Sequence, residues 1–151
     1  MATSSLELWD ELAAAAVAES PLWAEALKAD PEREPVFSPL APPRFALGLE
    51  TIYEAYLVHY GRPRLFAPVD ADVALLVGDY LYAHGLVRIA SLGDVDAVAA
   101  LAELISGCAA LRAEGGVDDG SAWVDCARRL GGDPDPAEVE RALAAHASHM
   151  R

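Results

Sequence analysis

Apolar side chains recur at intervals of three and four residues along most of the chain, outside its proline clusters. This spacing places them on one side of an α-helix, and alanine, the strongest helix former, is the most abundant residue. Runs of β-branched residues are short. The pattern therefore predicts an all-α fold, a helical bundle in a single domain that spans residues 1–151.

Capping residues and prolines mark where the predicted helices begin and end. Ser20-Pro21 and Asp135-Pro136 each pair a capping side chain with a proline suited to the first helical position, and Glu138 completes a capping box. Asp94 or Asp96 caps the helix that follows Gly93. The predicted helices cover residues 5–19, 21–29, 44–60, 70–92, 95–114, 122–130 and 136–149.

Residues 31–43 form the main interruption between helices. They hold five of the ten prolines of the chain, which lack the backbone N–H and push each preceding residue away from helical angles. We expect an extended connector there. Val36, Phe37 and Leu40 suggest that it lies along the helical body, and a flexible linker is the alternative.

The segment 70–92 is apolar almost all the way round, which predicts a helix buried on most sides at the centre of the molecule. Glycine costs about 1 kcal/mol relative to alanine inside a helix. Gly78 and Gly85, seven residues apart on one face, therefore indicate the close approach of a neighbouring helix. Asp79 is expected beside them as a buried carboxylate with hydrogen-bond partners.

The run LLVGDYLYAHGLVRIASLGD, residues 75–94, resembles a segment of the trans-isoprenyl (polyprenyl) diphosphate synthases. In that family the first Gly-Asp pair lies on a central helix and a second pair starts the next helix. Gly61-Arg62-Pro63 also fits the family pattern, since 78 − 61 = 17 residues separate its glycine from Gly78. The resemblance covers roughly residues 50–114 and implies a truncated isoprenoid synthase fold.

The aspartate clusters of that family are missing from this chain. Family members hold Mg²⁺ and the allylic diphosphate with two DDxxD motifs, because hard cations prefer several carboxylate oxygens. By position, Glu50 and Glu54 stand at the first motif, and with Arg62 and Arg64 they are the candidate remnants of a diphosphate site. A solvated pair of glutamates is the alternative for the two acids.

The resemblance implies the small non-catalytic subunit of a two-component hexaprenyl or heptaprenyl diphosphate synthase. Such a subunit would form a heterodimer with a catalytic synthase, which supplies Mg²⁺ and both diphosphate sites, and would help to set product length. The segments 70–92 and 95–112 would meet the partner and the growing isoprenoid chain. The residues expected at the partner interface or in a chain-length wall are Leu76, Gly78, Asp79, Tyr80, Leu81, Gly85, Leu101 and Ile105.

Two other functions stay open at this point. One is a stand-alone homodimer that binds an isoprenoid or another apolar ligand. The other is a minimal enzyme that uses Glu50 and Glu54 with magnesium. The two differ in whether the isolated chain turns over substrate.

Composition narrows the classes of partner and site. The formal net charge of −13 argues against nucleic acid as a partner, because phosphate backbones would be repelled. The sequence contains neither a secretory signal nor about 18 uninterrupted apolar residues, so we expect a cytoplasmic protein without stable membrane insertion. Cys108 and Cys126 are predicted to be buried free thiols. His146 and His149 share a helical spacing, but no metal site is predicted on this chain.

Overall fold

The computed structural model describes residues 5–151, and these residues fold into seven α-helices and two short 3₁₀ turns. The all-α prediction is confirmed. The helices are α1 (Ser5–Glu19), α2 (Pro21–Glu25), α3 (Ala46–Tyr60), α4 (Ala71–Ala90), α5 (Val95–Ala113), α6 (Gly120–Arg129) and α7 (Pro136–His149). The 3₁₀ turns span Ser38–Leu40 and Pro43–Phe45.

Side-chain caps start four of the helices. The Ser20 hydroxyl accepts from the amide of Leu22 at the start of α2, and Asp70 accepts from the third residue of α4 at 2.8 Å. Asp94, and not Asp96, caps α5. The capping box that opens α7 is confirmed in both directions. Each cap satisfies a backbone donor that has no partner inside the helix.

The central element is α3, and the prediction that the helix over residues 70–92 lies at the centre is wrong. Every residue from position 48 to position 58 is buried. One core cluster on α3 packs against the connector, α5, α6 and α7, and the other packs against α1, α2 and α4. The glutamates and tyrosines of α3 suggest a helix with one solvent-exposed face. In the structure these side chains have partners inside the protein instead.

The helix α4 packs along α3 through its glycines, as their spacing predicts. A Cβ atom on Gly85 would lie 2.5 Å from Cγ1 of Ile52, and one on Gly78 would overlap the ring of His59. The opposite side of α4 faces outward. The helix is therefore buried on one side only, among residues 5–151.

The connector lies along the helical body. Val36, Phe37 and Leu40 are buried, and the ring of Phe37 stacks on Trp123 of α6 with centroids 5.5 Å apart. The same ring meets Tyr53 of α3 edge-on at 5.2 Å. The connector therefore belongs to the core of the domain and holds α3 against α6.

Candidate functional site

Three of the four candidate diphosphate-site remnants form an ionic cluster in the interior. Glu50, Glu54 and Arg64 are each fully buried. Arg64 Nε donates to Glu54 Oε1 at 3.0 Å, and its Nη1 donates to Glu50 Oε2. Arg64 also lies over the rings of Trp9 and Tyr53, with its Cζ 4.6 and 4.9 Å from the two centroids. The alternative of a solvated glutamate pair is wrong.

Backbone amides satisfy the remaining carboxylate oxygens of the cluster. Glu50 Oε1 accepts from the amides of Val36 and Ser38 in the connector. Glu54 Oε2 accepts from three consecutive amides at positions 64–66, the closest at 2.8 Å. The two acids therefore fasten the connector and the α3–α4 loop to α3. Their oxygens are engaged with protein donors, which leaves none directed at a cation.

The charge of Arg64 is held inside this cluster. Burial alone would lower its pKa, but the adjacent Glu50 and Glu54 carboxylates raise the pKa above the usual range, so the guanidinium stays charged. Arg62, the fourth candidate remnant, lies apart at the surface, where its guanidinium pairs with Glu32. The four residues therefore do not combine into an anion site.

A second buried network joins α3 to α5, α6 and α7, and the sequence analysis missed it. His146 receives the Tyr53 hydroxyl at Nδ1, 2.7 Å away, and its Nε2 lies 3.1 Å from Asp119 Oδ1. The Tyr56 hydroxyl donates to the other oxygen of Asp119, and Arg112 donates to the Tyr56 oxygen at 2.6 Å. The hydrogen-bonded residues are 27 to 93 positions apart in the sequence. No local spacing therefore reveals the network.

In this network Asp119 is ionised, whereas the hydroxyl groups of Tyr53 and Tyr56 are neutral. Burial alone would raise the pKa of Asp119, but hydrogen bonds from His146 and Tyr56 and the charge of Arg112 lower it below the usual range. Burial raises the pKa of Tyr53 and of Tyr56. The network resembles the catalytic arrangements of enzymes in its residue types, but its members are packed among core side chains. We interpret it as a structural device.

One apolar surface that no other element among residues 5–151 covers is the outer face of α4, which we define as Leu75, Leu76, Asp79, Ala83 and Val87. Leu75, Leu76 and Val87 are 54%, 51% and 64% exposed. With Asp79 and Ala83 between them, the members of this face follow one another at spacings of three and four residues, which puts them in one stripe along the helix. Leu92 and Val95, at the turn into α5, are exposed as well.

The predicted interface residues divide between this face and the interior. Leu76 and Asp79 lie on the outer face, whereas Tyr80 and Ile105 are half-buried. The other four, Gly78, Leu81, Gly85 and Leu101, are buried within the chain itself.

The prediction that Asp79 is a buried carboxylate is wrong. Its side chain is 66% exposed, and one oxygen lies 3.5 Å from His59 Nε2. The Gly-Asp pair therefore spans two environments, with Gly78 packed on α3 and Asp79 at the surface. The reason is the helical period, because adjacent residues differ by about 100° around the helix axis.

Among the described helices, α4 alone is long and apolar enough to cross a membrane by length and composition. Its glycine side packs on α3 along the helix, which is typical of a helix in a globular domain. Comparison with protein families, with curated proteins and with solved structures found no match to this chain.

Proposed function

We propose that this chain is a non-catalytic subunit that docks through the outer face of α4 onto a catalytic trans-polyprenyl diphosphate synthase and helps to set product length. The observation that carries the proposal is the exposure of Leu75, Leu76 and Val87 on a helix whose other side is fully packed. The partner is inferred from the resemblance of residues 75–94 to a synthase segment that forms much of the subunit interface in that family.

The apolar surface is suited to association with a protein. Covering the exposed halves of Leu75, Leu76 and Val87 would contribute roughly 1 kcal/mol each. A stable interface needs about 800 Å² on each partner, which is more than one helical stripe, so Leu92 and Val95 would also be covered. Asp79 lies within this surface and would be matched by a basic group on the partner.

The proposal assigns the chemistry to the partner. Glu50 and Glu54, the acids at the position of the first metal-binding motif, are held by Arg64 and by backbone amides. Freeing either acid for a cation would leave its buried donors on Arg64 and on the backbone without acceptors, which is costly. Magnesium and both diphosphates would therefore be bound by the catalytic subunit.

The structure also limits which residues would form a chain-length wall. Leu81 is fully buried inside this chain, so it would support the wall from behind. Leu76 and the half-buried Tyr80 would stand at the surface beside the partner's tunnel. Product length would then depend on where this apolar surface ends the tunnel.

The test is to mix the purified chain with the full-length synthase encoded in the same genome. Light scattering would measure complex formation, and product analysis would measure chain length. We expect a stable complex and longer products, with both lost in Leu76→Asp. The matched control is Val117→Asp, in the loop before α6, where an apolar side chain is 71% exposed away from α4.

Four outcomes would decide against the proposal. Unchanged products without a complex would exclude the partnership, and equal binding by Leu76→Asp would exclude this face. Self-association of the chain alone, abolished by Leu76→Asp and accompanied by binding of a farnesyl-type lipid, would favour the homodimeric binding module. Magnesium-dependent turnover by the isolated chain would favour the minimal enzyme.

A further inference from the structure

Two acidic side chains of the connector and a histidine at the end of α7 converge outside the region of the proposed function. Glu32, Glu34 and His149 each offer one ligand atom, and the three atoms lie within 4.8 Å of one another. His149 Nε2 is 3.7 Å from Glu34 Oε2. More than one hundred residues separate the glutamates from the histidine, so no sequence motif indicates this site.

The imidazole of His149 is buried and oriented toward the two carboxylates. Its side chain is 1% exposed, and Nδ1 lies 3.2 Å from the carbonyl oxygen of Arg62. A carbonyl only accepts, so we assign the ring proton to Nδ1, which leaves the lone pair of Nε2 directed at Glu34. Within residues 5–151, no donor hydrogen-bonds to this nitrogen. Two acceptor atoms, His149 Nε2 and Glu34 Oε2, therefore face each other at 3.7 Å.

We propose that Glu32, Glu34 and His149 bind a divalent transition-metal ion, with Zn²⁺ as the preferred cation, and that the ion fastens the connector to the end of α7. One imidazole nitrogen and two carboxylate oxygens form a ligand set typical of zinc, and solvent would fill the remaining position. The nitrogen ligand disfavours Mg²⁺ and Ca²⁺, which prefer oxygen. Metal bonds of about 2.0–2.2 Å place tetrahedral ligand atoms about 3.4 Å apart. Atoms separated by up to 4.8 Å would therefore have to approach one another by as much as about 1.4 Å, and the solvent-accessible glutamate side chains allow that shift.

The hydrogen bond from Nδ1 to a backbone carbonyl is the arrangement that orients most metal-binding histidines. The site also lies at the C-terminal end of α7, where the helix dipole favours a cation.

Two arginines lie near the site, but they leave carboxylate oxygens of Glu32 and Glu34 available to a cation. The Arg62 guanidinium contacts one oxygen of Glu32, and a carboxylate retains a second oxygen for a cation. Arg64 donates to the backbone oxygen of Glu34, but Glu50 and Glu54 neutralise its charge. The local balance therefore stays negative enough for a dication.

His146, one turn before His149 in α7, does not take part in the proposed metal site. His146 faces Asp119 at 3.1 Å and Tyr53 at 2.7 Å, whereas His149 faces Arg62 and Glu34. Their common helical spacing thus places the two rings against different neighbours. The acids that complete the site come from the connector.

The experiment is a Zn²⁺ titration of the full chain by calorimetry in excess Mg²⁺. We expect one ion per chain, with affinity at least about tenfold weaker in Glu34→Gln. Glu140→Gln, which changes an exposed acid on the same helix, should bind as the unmodified chain does. His149→Gln should also lose binding, and circular dichroism would show whether this change of a buried residue preserves the fold.

A second measurement separates a built site from surface binding. Zn²⁺ should raise the melting temperature of the unmodified chain and of Glu140→Gln, but not that of Glu34→Gln, because only a site formed by the folded state stabilises it. Absence of binding to the unmodified chain would overturn the proposal. So would equal affinity and equal stabilisation in Glu34→Gln, since the ion would then lie elsewhere.

Discussion

Arg64 is the charge on which two buried carboxylates depend. Replacing it by methionine keeps much of the side-chain volume but leaves Glu50 and Glu54 buried with only amide donors. We expect Arg64→Met to lower the free energy of unfolding by about 3–5 kcal/mol, the usual cost of breaking a buried ion pair on one side. Urea denaturation followed by circular dichroism would measure it.

The control for Arg64 is an arginine whose ion pair lies at the surface. Arg44 donates to Asp94 at 2.9 Å, and both side chains are partly exposed. Arg44→Met should cost less than about 1 kcal/mol, because solvent screens such pairs. A loss in Arg64→Met no larger than in Arg44→Met would mean that the interior cluster contributes little to stability.

Both thiols are buried and free, as the sequence predicts. Burial raises the pKa of Cys108 to about 12 and that of Cys126 to about 11. The reactive thiolate is therefore scarce at pH 8, and the sulfur atoms are also inaccessible. We expect no reaction with a thiol-specific disulfide reagent in the folded protein and two thiols per chain in denaturant. Rapid labelling of either cysteine under native conditions would contradict the placement of α5 and α6.

At the scale of elements, the α3–α4 contact depends on glycine at close approach. Gly85→Ala would gain about 1 kcal/mol in helix propensity, but the new methyl group would lie 2.5 Å from Ile52 Cγ1 and 3.3 Å from the Gly48 oxygen. Ile52 is fully buried and has little room to move. We therefore expect a net loss of roughly 1–2 kcal/mol in the free energy of unfolding.

Gly107 is the matched control for this contact, since it lies in α5 and a Cβ atom there meets nothing within 4 Å. Gly107→Ala should stabilise the protein by about 0.4–1 kcal/mol. The opposite signs of the two glycine variants, measured by urea denaturation, would separate packing from propensity. Stabilisation by both variants would show that α4 does not approach α3 as closely as the structure has it.

The elements that sequence could predict are those with local causes. The caps at Ser20 and Asp135 need only residues within one helical turn, and both were predicted. At α5 the prediction left Asp94 and Asp96 open, and the structure has Asp94. The choice between α3 and α4 as the central helix was wrong because burial depends on distant partners. Glu50 and Glu54 are buried only because Arg64 arrives from another segment. The outer face of α4 is exposed because no other element of the described chain packs on it, which the sequence of the helix alone does not reveal.

The candidate sites also divide into those with a local signal in the sequence and those that depend on residues far apart in the chain. The glycine spacing on α4 predicted a close helix contact, and the resemblance to synthases directed attention to the same helix. The network around Asp119 and the cluster at His149 join residues from opposite ends of the chain. Their members have no fixed spacing, so only the tertiary structure brings them together.

At the scale of the whole molecule, a net charge of −13 acts on every surface at once. Like charges repel more strongly in the compact state than in the expanded unfolded chain. Raising NaCl from about 10 mM to about 100 mM shortens the Debye length from about 30 Å to about 10 Å. We expect this change to raise the free energy of unfolding. Urea is the suitable denaturant because it carries no charge.

Two further conditions isolate this repulsion. A chelator in every sample removes trace metal, so that an ion bound near His149 does not add to the effect. Near pH 4.5, the sequence pI, the net charge approaches zero, and the same addition of salt should then change stability little. Exposed ion pairs such as Arg129 with Glu103 are screened by the same salt, and their weakening opposes the expected gain in stability. A loss of stability with salt at pH 7 would mean that these pairs outweigh the excess of acids.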